Sequence, residues 1–487
     1  MNNAVKTWSP YQTAIFDFVE NDSRNGIVNA VAGSGKSTTI KEAYKRVKGE
    51  AIFLAFNKAI ADELKNAGVN GRTFHSLCFM PVLRSRGVRD PEMNKLRKLC
   101  DEHMSMADVR LYGAFTQKLV GLARQIGIGC LVPDTEMAWI SICEHHDIEP
   151  ESDEAEFGRG IELARELLDL SNSSKMVDFD DMLYFAVKDG ITLPKFDFVF
   201  VDEAQDTNAI QRAILRKIMK PKSRIVAVGD PAQAIYGFRG ADSGSMDLLA
   251  QEFNCFPLPL TISYRCPTSV VKYAQQWVSH IEAAPGKPAG IVEELGTNFK
   301  VNDFTADDLV VCRKTAPLIT LAFRCIRANV PVQVMGREIG QGLKALIKKM
   351  NARNIDELEL KLEAFKEREQ EKARAKKEDA KVEQIEDKVG SLIFLLKGLR
   401  EDTRTIPDLE KGIDYLFKDK ARAVTFATIH KSKGLEAPRV FWLGRSECPA
   451  RWAKQDWQKE QELNLCYVAT TRAQEELYMI EMKESEE

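Results

Sequence analysis

One short stretch limits the possible folds more than any other. An apolar run, Ile27–Val31, leads into Ala30-Val31-Ala32-Gly33-Ser34-Gly35-Lys36-Ser37 and then into a helix-forming segment from Thr38. A glycine-bearing turn between a buried strand and a helix aims backbone N–H groups at one point, and the helix dipole adds positive charge there. Such a turn suits phosphate. Lys36 supplies charge for the β- and γ-phosphates of a nucleotide, and the Ser37 hydroxyl can ligate Mg²⁺. Ala32, Gly33, Ser34, Gly35 and Thr38 complete the candidate cradle. The general pattern has glycine where Ala30 stands, so the match is imperfect on its own. A glycine-rich helix start with a chance lysine is the plain alternative.

Seven further apolar runs rich in Val, Ile and Phe follow: Ala51–Phe56, Phe196–Val201, Arg224–Val228, Asp308–Cys312, Val330–Val334, Ala423–Ala427 and Val440–Leu443. Amphipathic segments lie between many of them, the pattern of buried parallel strands alternating with helices, hence an α/β fold. The runs fall into two groups, and 487 residues exceed one ordinary core. Two parallel-sheet domains in tandem are expected, over 1–77 with 178–262 and over 263–343 with 421–487. Leu77 to Val177 keeps helical periodicity and reads as a helical insertion over 78–177. Lys344 to Lys420 contains the charge-dense run Lys361–Lys388, with Leu358, Leu362 and Phe365 about its start and Val382, Ile385, Val389, Leu392 and Leu396 about its end. This 344–420 segment reads as a helical hairpin with a solvated tip. A flexible charged linker is the competing reading, since Glu367–Ala380 lacks an apolar stripe.

Composition narrows the class without naming a partner. A hydrophobic fraction of 44% and a charged fraction of 29% fit a soluble globular protein. No apolar stretch is long enough to span a bilayer, and Met1–Pro10 lacks the build of a secretory signal, which points to the cytoplasm, whether nucleoid or infected cell. Ten scattered cysteines without CxxC spacing and six dispersed histidines suggest neither zinc nor disulfides. A net charge of −3 argues against a global positive field for duplex DNA, but leaves room for a lined channel with stacking aromatics.

Two more segments bear on chemistry. Phe198-Val199-Phe200-Val201 ends in Asp202-Glu203-Ala204-Gln205-Asp206, two acids at the carboxyl end of a buried strand, where α/β proteins place ligands. Asp202 would hold the Mg²⁺ shell, and Glu203 would orient or deprotonate an attacking water. Adjacent acids there also occur as an ordinary helix cap. After the next strand comes Val228-Gly229-Asp230-Pro231-Ala232-Gln233-Ala234-Ile235-Tyr236-Gly237-Phe238-Arg239-Gly240-Ala241. Gln233 and Arg239 are candidates to detect a γ-phosphate, and Tyr236 and Phe238 offer flat faces to bases.

These residues, taken in order, resemble superfamily 1 helicases of the UvrD/Rep/PcrA group, from residue 9 to residue 480. In that group alanine is usual where Ala30 stands. Ser9-Pro10-Tyr11-Gln12 is similar to their adenine-reading glutamine motif. Ala55-Phe56-Asn57-Lys58-Ala59 and Thr73-Phe74-His75-Ser76-Leu77 resemble strand-binding motifs, which implies nucleic-acid roles for Phe56, Asn57 and His75. The first of these leans toward the F-box DNA helicase branch and its phage relatives. Asp178-Phe179-Asp180-Asp181-Met182-Leu183 also has a counterpart. Ser263-Tyr264-Arg265 resembles the NYR element, with Ser in place of Asn, implying Tyr264 on the adenine and Arg265 on the γ-phosphate. Thr428-Ile429-His430-Lys431-Ser432-Lys433-Gly434-Leu435-Glu436 resembles motif V, implying ribose contact by Glu436 and strand contact by His430. Leu465-Cys466-Tyr467-Val468-Ala469-Thr470-Thr471-Arg472-Ala473 resembles motif VI, implying Arg472 as a second arginine finger.

The resemblance implies two RecA-like P-loop domains with ATP and Mg²⁺ between them, and 3′→5′ travel on single-stranded DNA with unwinding at duplex junctions. It makes 78–177 a 1B-like and 344–420 a reduced, 2B-like insertion. Phe238 stands where the family has tryptophan. Two competing expectations remain: a translocase that strips proteins from DNA but unwinds poorly, and a nucleotide-gated binding module. Glu203, Gln233, Arg265 and Arg472 argue against the second.

Overall fold

Successive residues of a strand point to opposite faces, so a strand buried on both faces must be apolar throughout. Ile27 and Val28, Ile52 and Phe53, Val199 and Phe200, and Ile225 and Val226 are such neighbours, and in each pair the two residues enter different cores. They belong to a six-stranded parallel sheet in a computed structural model that describes residues 7–146, 148–150, 154–235, 237, 244–376, 378–398, 405–418, 420 and 422–482. The strands are β1 (Asn25–Ala30), β2 (Ala51–Leu54), β3 (Gly71–Arg72), β4 (Phe196–Val201), β5 (Met219–Gly229) and β6 (Cys255–Leu260), in the order β3-β2-β4-β5-β1-β6. β1 pairs with β5 through Val28↔Val228, and β4 with β5 through Val201↔Ala227. The carboxyl ends of these three neighbours carry the glycine turn, the acid pair and the Gly229-Asp230 turn.

The chain divides into two compact units, Met1–Val31 with Gly35–Thr261, and Ala32–Ser34 with Ile262–Glu487. In the first, one sheet face is covered by helices Pro10–Asn21, Lys36–Tyr44 and Lys58–Asn66 through Ile15, Phe16, Ile40 and Leu64. The other face shares one core with the helices of 74–173, through Leu77, Leu119, Trp139 and Leu167. The helical insertion is thus packed on the sheet instead of forming a core of its own.

The second unit contains β7 (Ile262–Ser263) paired with β8 (Glu282–Ala283), and a six-stranded parallel sheet. That sheet is built from β9 (Ile291–Gly296), β10 (Leu309–Cys312), β11 (Val332–Val334), β12 (Val424–Thr428), β13 (Ala437–Leu443) and β14 (Ala473–Ile480), in the order β11-β12-β10-β13-β14-β9. Val310, Phe426 and Phe441 join Leu318, Ile319 and Ala322 of helix Thr315–Arg327 in one core. The charge-dense segment is helical, as Ile355–Ala375 and Asp379–Gly398. Leu358, Leu362, Val389, Leu392 and Leu396 enter the same core. The stretch after Glu367 keeps its helix because Gln370 and Ala373 are buried and Gln370 Nε2 donates to Glu386 Oε2 at 2.7 Å. The hairpin reading holds for this segment, and the charge density and missing apolar stripe of Glu367–Ala380 do not make it a linker.

All eight expected strands are present, and four main-sheet strands were not expected: β3, β6, β9 and β14. β6 escapes notice because Pro257 and Pro259 interrupt it; among the described residues it is an edge strand paired with β1, and a sheet edge tolerates a missing N–H. β9 is also an edge strand, with Ile291 exposed, so it lacks an apolar run. No helix among the described residues is long and apolar enough to cross a membrane.

Candidate nucleotide site and strand-facing surface

The turn after β1 is shaped by two glycines in the left-handed region, Gly33 at φ 70° and Gly35 at φ 76°. Side chains rarely adopt that backbone. Helix Lys36–Tyr44 starts at Gly35 with no side chain capping its first N–H groups, and the Ser34 hydroxyl is buried without a protein partner. Ala32 N donates to Tyr467 Oη at 2.9 Å, and a helix that starts at a glycine turn beside a buried hydroxyl suits a phosphate. Gln12 reaches this helix: its Nε2 donates to Thr39 Oγ1 at 2.9 Å, and Thr39 Oγ1 donates to Gly35 O at 2.9 Å. The expected Thr38 is exposed, whereas Thr39, not singled out from the sequence, is the buried threonine that joins Gln12 to the turn. Gln12 also forms a capping box with Ser9, which fixes its carbonyl end.

The acids at the end of β4 lie against the same turn. Ser37 Oγ donates to Asp202 Oδ2 at 3.0 Å, and Lys36 Nζ is 3.6 Å from Glu203 Oε1. Hydroxyl and carboxylate oxygens are the hard donors that Mg²⁺ takes alongside phosphate. Burial pushes the Asp202 carboxyl up to about 6, and the neighbouring Glu203 charge adds to this, while Lys36 and Ser37 oppose it. Glu203 is a non-glycine residue at φ 50°. A left-handed conformation costs about 1–3 kcal/mol and is retained where surroundings hold it, commonly at functional sites.

The turn after β5 completes the group. Gln233 Nε2 donates to Asp230 Oδ2 at 2.6 Å, and both residues are buried. Burial raises the Asp230 carboxyl above its ordinary value, against the pull of Lys36 and Gln233. Gln205 was not assigned a role from sequence, yet its side chain bonds both Glu203 and the Asp230 N–H. Only its placement two residues after an acid pair hinted at it. Arg239 lies outside the described residues.

In the second unit, Arg265 Nε donates to Glu436 Oε2 at 2.5 Å and its Nη1 donates to Thr471 O at 3.1 Å. Gln474 Nε2 holds the other Glu436 oxygen at 2.9 Å. Arg472 is almost fully buried, with Nε on Val468 O at 2.9 Å and Nη1 on Leu435 O at 3.2 Å. Arg265, Glu436 and Arg472 are therefore one cluster. Tyr264 is partly exposed beside it, and His430 sits half-buried on the short helix Ile429–Ser432.

On the first unit, Phe56 is 45% exposed, and His75 lies 5.2 Å from the exposed Phe179 ring. Phe56 and His75 line a groove of about 320 Å³ with Arg124, Asp180, Asn208 and Gln211. Burial lowers the His75 imidazole below its ordinary value. The Asn57 side chain is used locally: its Oδ1 accepts from Ile60 N at 2.9 Å and caps helix Lys58–Asn66. Tyr236 and Phe238 lie outside the described residues.

Comparison with known proteins bears on this arrangement. Family models match two regions: the UvrD/REP helicase N-terminal domain over residues 12–254 and the UvrD-like helicase C-terminal domain over 335–484. A probable DNA helicase II homolog of Mycoplasma pneumoniae is 26% identical over 314 residues, covering 57% of this chain and 43% of its own length. F-box DNA helicase protein 1 of Schizosaccharomyces pombe is 26% identical over 314 residues, 58% of this chain and 34% of its own. ATP-dependent DNA helicase PcrA of Bacillus subtilis is 26% identical over 148 residues, 28% of this chain and 20% of its own. The matched regions span less than half the length of each of these relatives.

Proposed function

The chain belongs to the UvrD/Rep helicase family, and from that premise we propose that it is an ATP-driven motor that steps along single-stranded DNA, 3′→5′, and opens duplex at junctions. The observation that carries the reading is the meeting of Lys36 and Ser37 with Glu203 and Asp202 in one unit whose surface also has a groove lined by Phe56 and His75. In this account the Gly33–Ser37 turn and the helix after it bind the phosphates, and Gln12 orients the adenine. Mg²⁺ held at Ser37 and Asp202 would neutralise phosphate charge during transfer. Glu203 takes the proton of the attacking water, and Gln233 sits by the γ-phosphate. Arg265 and Arg472 of the second unit stabilise the charge that develops there, with Glu436 and Tyr264 at the sugar and base. Phe56, His75 and His430 grip the strand, Asn57 by way of its helix cap.

Nucleotide binding converts to movement only if ligand affinity differs between two arrangements of the motor. The test is ATP turnover with and without single-stranded DNA, in wild type and Glu203→Gln. The variant should keep nucleotide and DNA binding and lose about 10²–10⁴ of its turnover. Unchanged DNA-stimulated turnover in that variant would remove Glu203 from the role.

A second reading, a translocase that clears proteins from DNA and unwinds weakly, draws support from the hairpin Ile355–Gly398. It is buried into its own unit's core instead of standing as a free domain. Strand displacement measured beside protein removal separates the two readings.

A further inference from the structure

Gln205 sits between the acids that follow β4 and the turn that follows β5, and it touches both. Its Nε2 donates to Glu203 Oε2, and its Oε1 accepts from Asp230 N at 3.0 Å. Asp230 in turn accepts from Gln233 Nε2 at 2.6 Å and from Ala232 N at 3.1 Å. Gln205 is 1% exposed, so water does not readily replace either contact. The amide is matched to this place, with a donor at one end and an acceptor at the other. A carboxylate would face Glu203 with a like charge, and a hydrocarbon would strand the Asp230 N–H. The seat also depends on Gly229. A Cβ there would lie 2.5 Å from Gln205 Oε1, 2.6 Å from Met246 Sδ and 3.0 Å from Gln205 N.

We propose that Gln205 is a positioning residue for hydrolysis: it fixes the Glu203 carboxylate and ties its placement to the Asp230–Gln233 turn. A shift of the turn by the γ-phosphate is then felt at the residue that handles the attacking water. The left-handed backbone of Glu203 is consistent with a carboxylate that must be held from outside. This inference rests on the motor reading, in which Glu203 and Gln233 act on the γ-phosphate.

The experiment uses the full chain with Gln205→Met and the near-isosteric Gln205→Glu. Three quantities are read: the thermal midpoint, the Kd of a fluorescent non-hydrolysable ATP analogue with Mg²⁺, and kcat and KM for ATP with single-stranded DNA. The expected result is a Kd and KM within about two-fold of wild type and a kcat lowered at least about ten-fold in both variants. In a double-mutant cycle, adding Gln205→Met to Glu203→Gln should cost little further turnover, because the one acts through the other. An unchanged kcat, losses that multiply in the double variant, or a kcat loss matched by an equal loss of analogue affinity would overturn the proposal. If Gln205→Met fails to fold, Gln205→Glu decides alone. An active wild type with unaffected variants sinks this inference only, whereas a wild type without ATP turnover sinks the motor reading itself.

Discussion

Ser37 Oγ lies 3.0 Å from Asp202 Oδ2, so the phosphate turn and the acid strand meet through one hydroxyl–carboxylate hydrogen bond. The bond ties the ends of β1 and β4, which are not adjacent in the sheet, since β5 runs between them. Lys36 and Glu203, the chain neighbours of these two residues, approach each other to 3.6 Å beside it.

Asp202→Asn separates chemistry from stability. Turnover should fall at least about 10²-fold, in line with the several kcal/mol that metal charge stabilisation is worth. Stability should move the other way. Burial raises the Asp202 carboxyl from 3.8 to about 6, so the folded state holds a proton more tightly than the unfolded state. In Mg²⁺-free buffer wild type therefore loses stability relative to the variant as pH rises from about 4 to 6. Thermal midpoints of both proteins across that interval check the sign.

Arg265→Ala should lower kcat for DNA-stimulated hydrolysis by about 10³–10⁵-fold, the range for an arginine supplied to a transferring phosphoryl group. Analogue affinity should change far less. In this structure Arg265 is paired with Glu436 and Thr471 O, so the variant also removes one Glu436 partner and leaves its bond from Gln474. Turnover and analogue binding measured side by side resolve the two effects.

Most of the strand framework is legible because parallel strands covered on both faces are continuous apolar runs, as in Phe198–Val201 and Val440–Leu443. Edge strands obey no such rule, and β6 with its two prolines is invisible to it. At the site, Lys36, Ser37, Asp202 and Glu203 were legible because chemistry demands those types at those strand ends. Gln205 and Thr39 were not, because a residue that positions another is recognisable only from its partners in space. Arg472 is expected from its motif as a second arginine finger, and its guanidinium donates to the Val468 and Leu435 carbonyls, partners that no spacing in the sequence announces.

A buried ion network joins the helical insertion to the Asp178–Asp181 segment. Lys95 Nζ is 2.6 Å from Asp181 Oδ2, both without solvent exposure, and Arg124 Nη1 donates to Asp178 Oδ2 at 2.9 Å. Lys95→Met leaves carboxylate charge under-compensated in the core and should destabilise the first unit by about 3–5 kcal/mol. Urea unfolding monitored by fluorescence reads this as a lowered midpoint.

Phe56→Ala removes one exposed ring from the groove with His75. A base stack is worth about 1–3 kcal/mol, so the DNA concentration giving half-maximal stimulation of ATP turnover should rise between about 5- and 150-fold. Titration with a homopolymeric oligonucleotide measures it.

Asp387 fastens the charged hairpin to helix Thr315–Arg327, accepting from Thr315 N at 2.9 Å and Ala316 N at 2.6 Å. Asp387→Ala should cost about 0.5–2 kcal/mol, as loss of a helix cap does. Hydrogen exchange should rise first in Asp379–Gly398 and the opening turn of helix Thr315–Arg327.

The most direct measurement is steady-state ATP hydrolysis by the purified chain as single-stranded DNA is added. Turnover that climbs with DNA and saturates, and that is abolished by Glu203→Gln, is the outcome expected of a motor whose nucleotide site answers to its strand. A rate that stays flat whatever oligonucleotide is present, with no DNA bound, would contradict it.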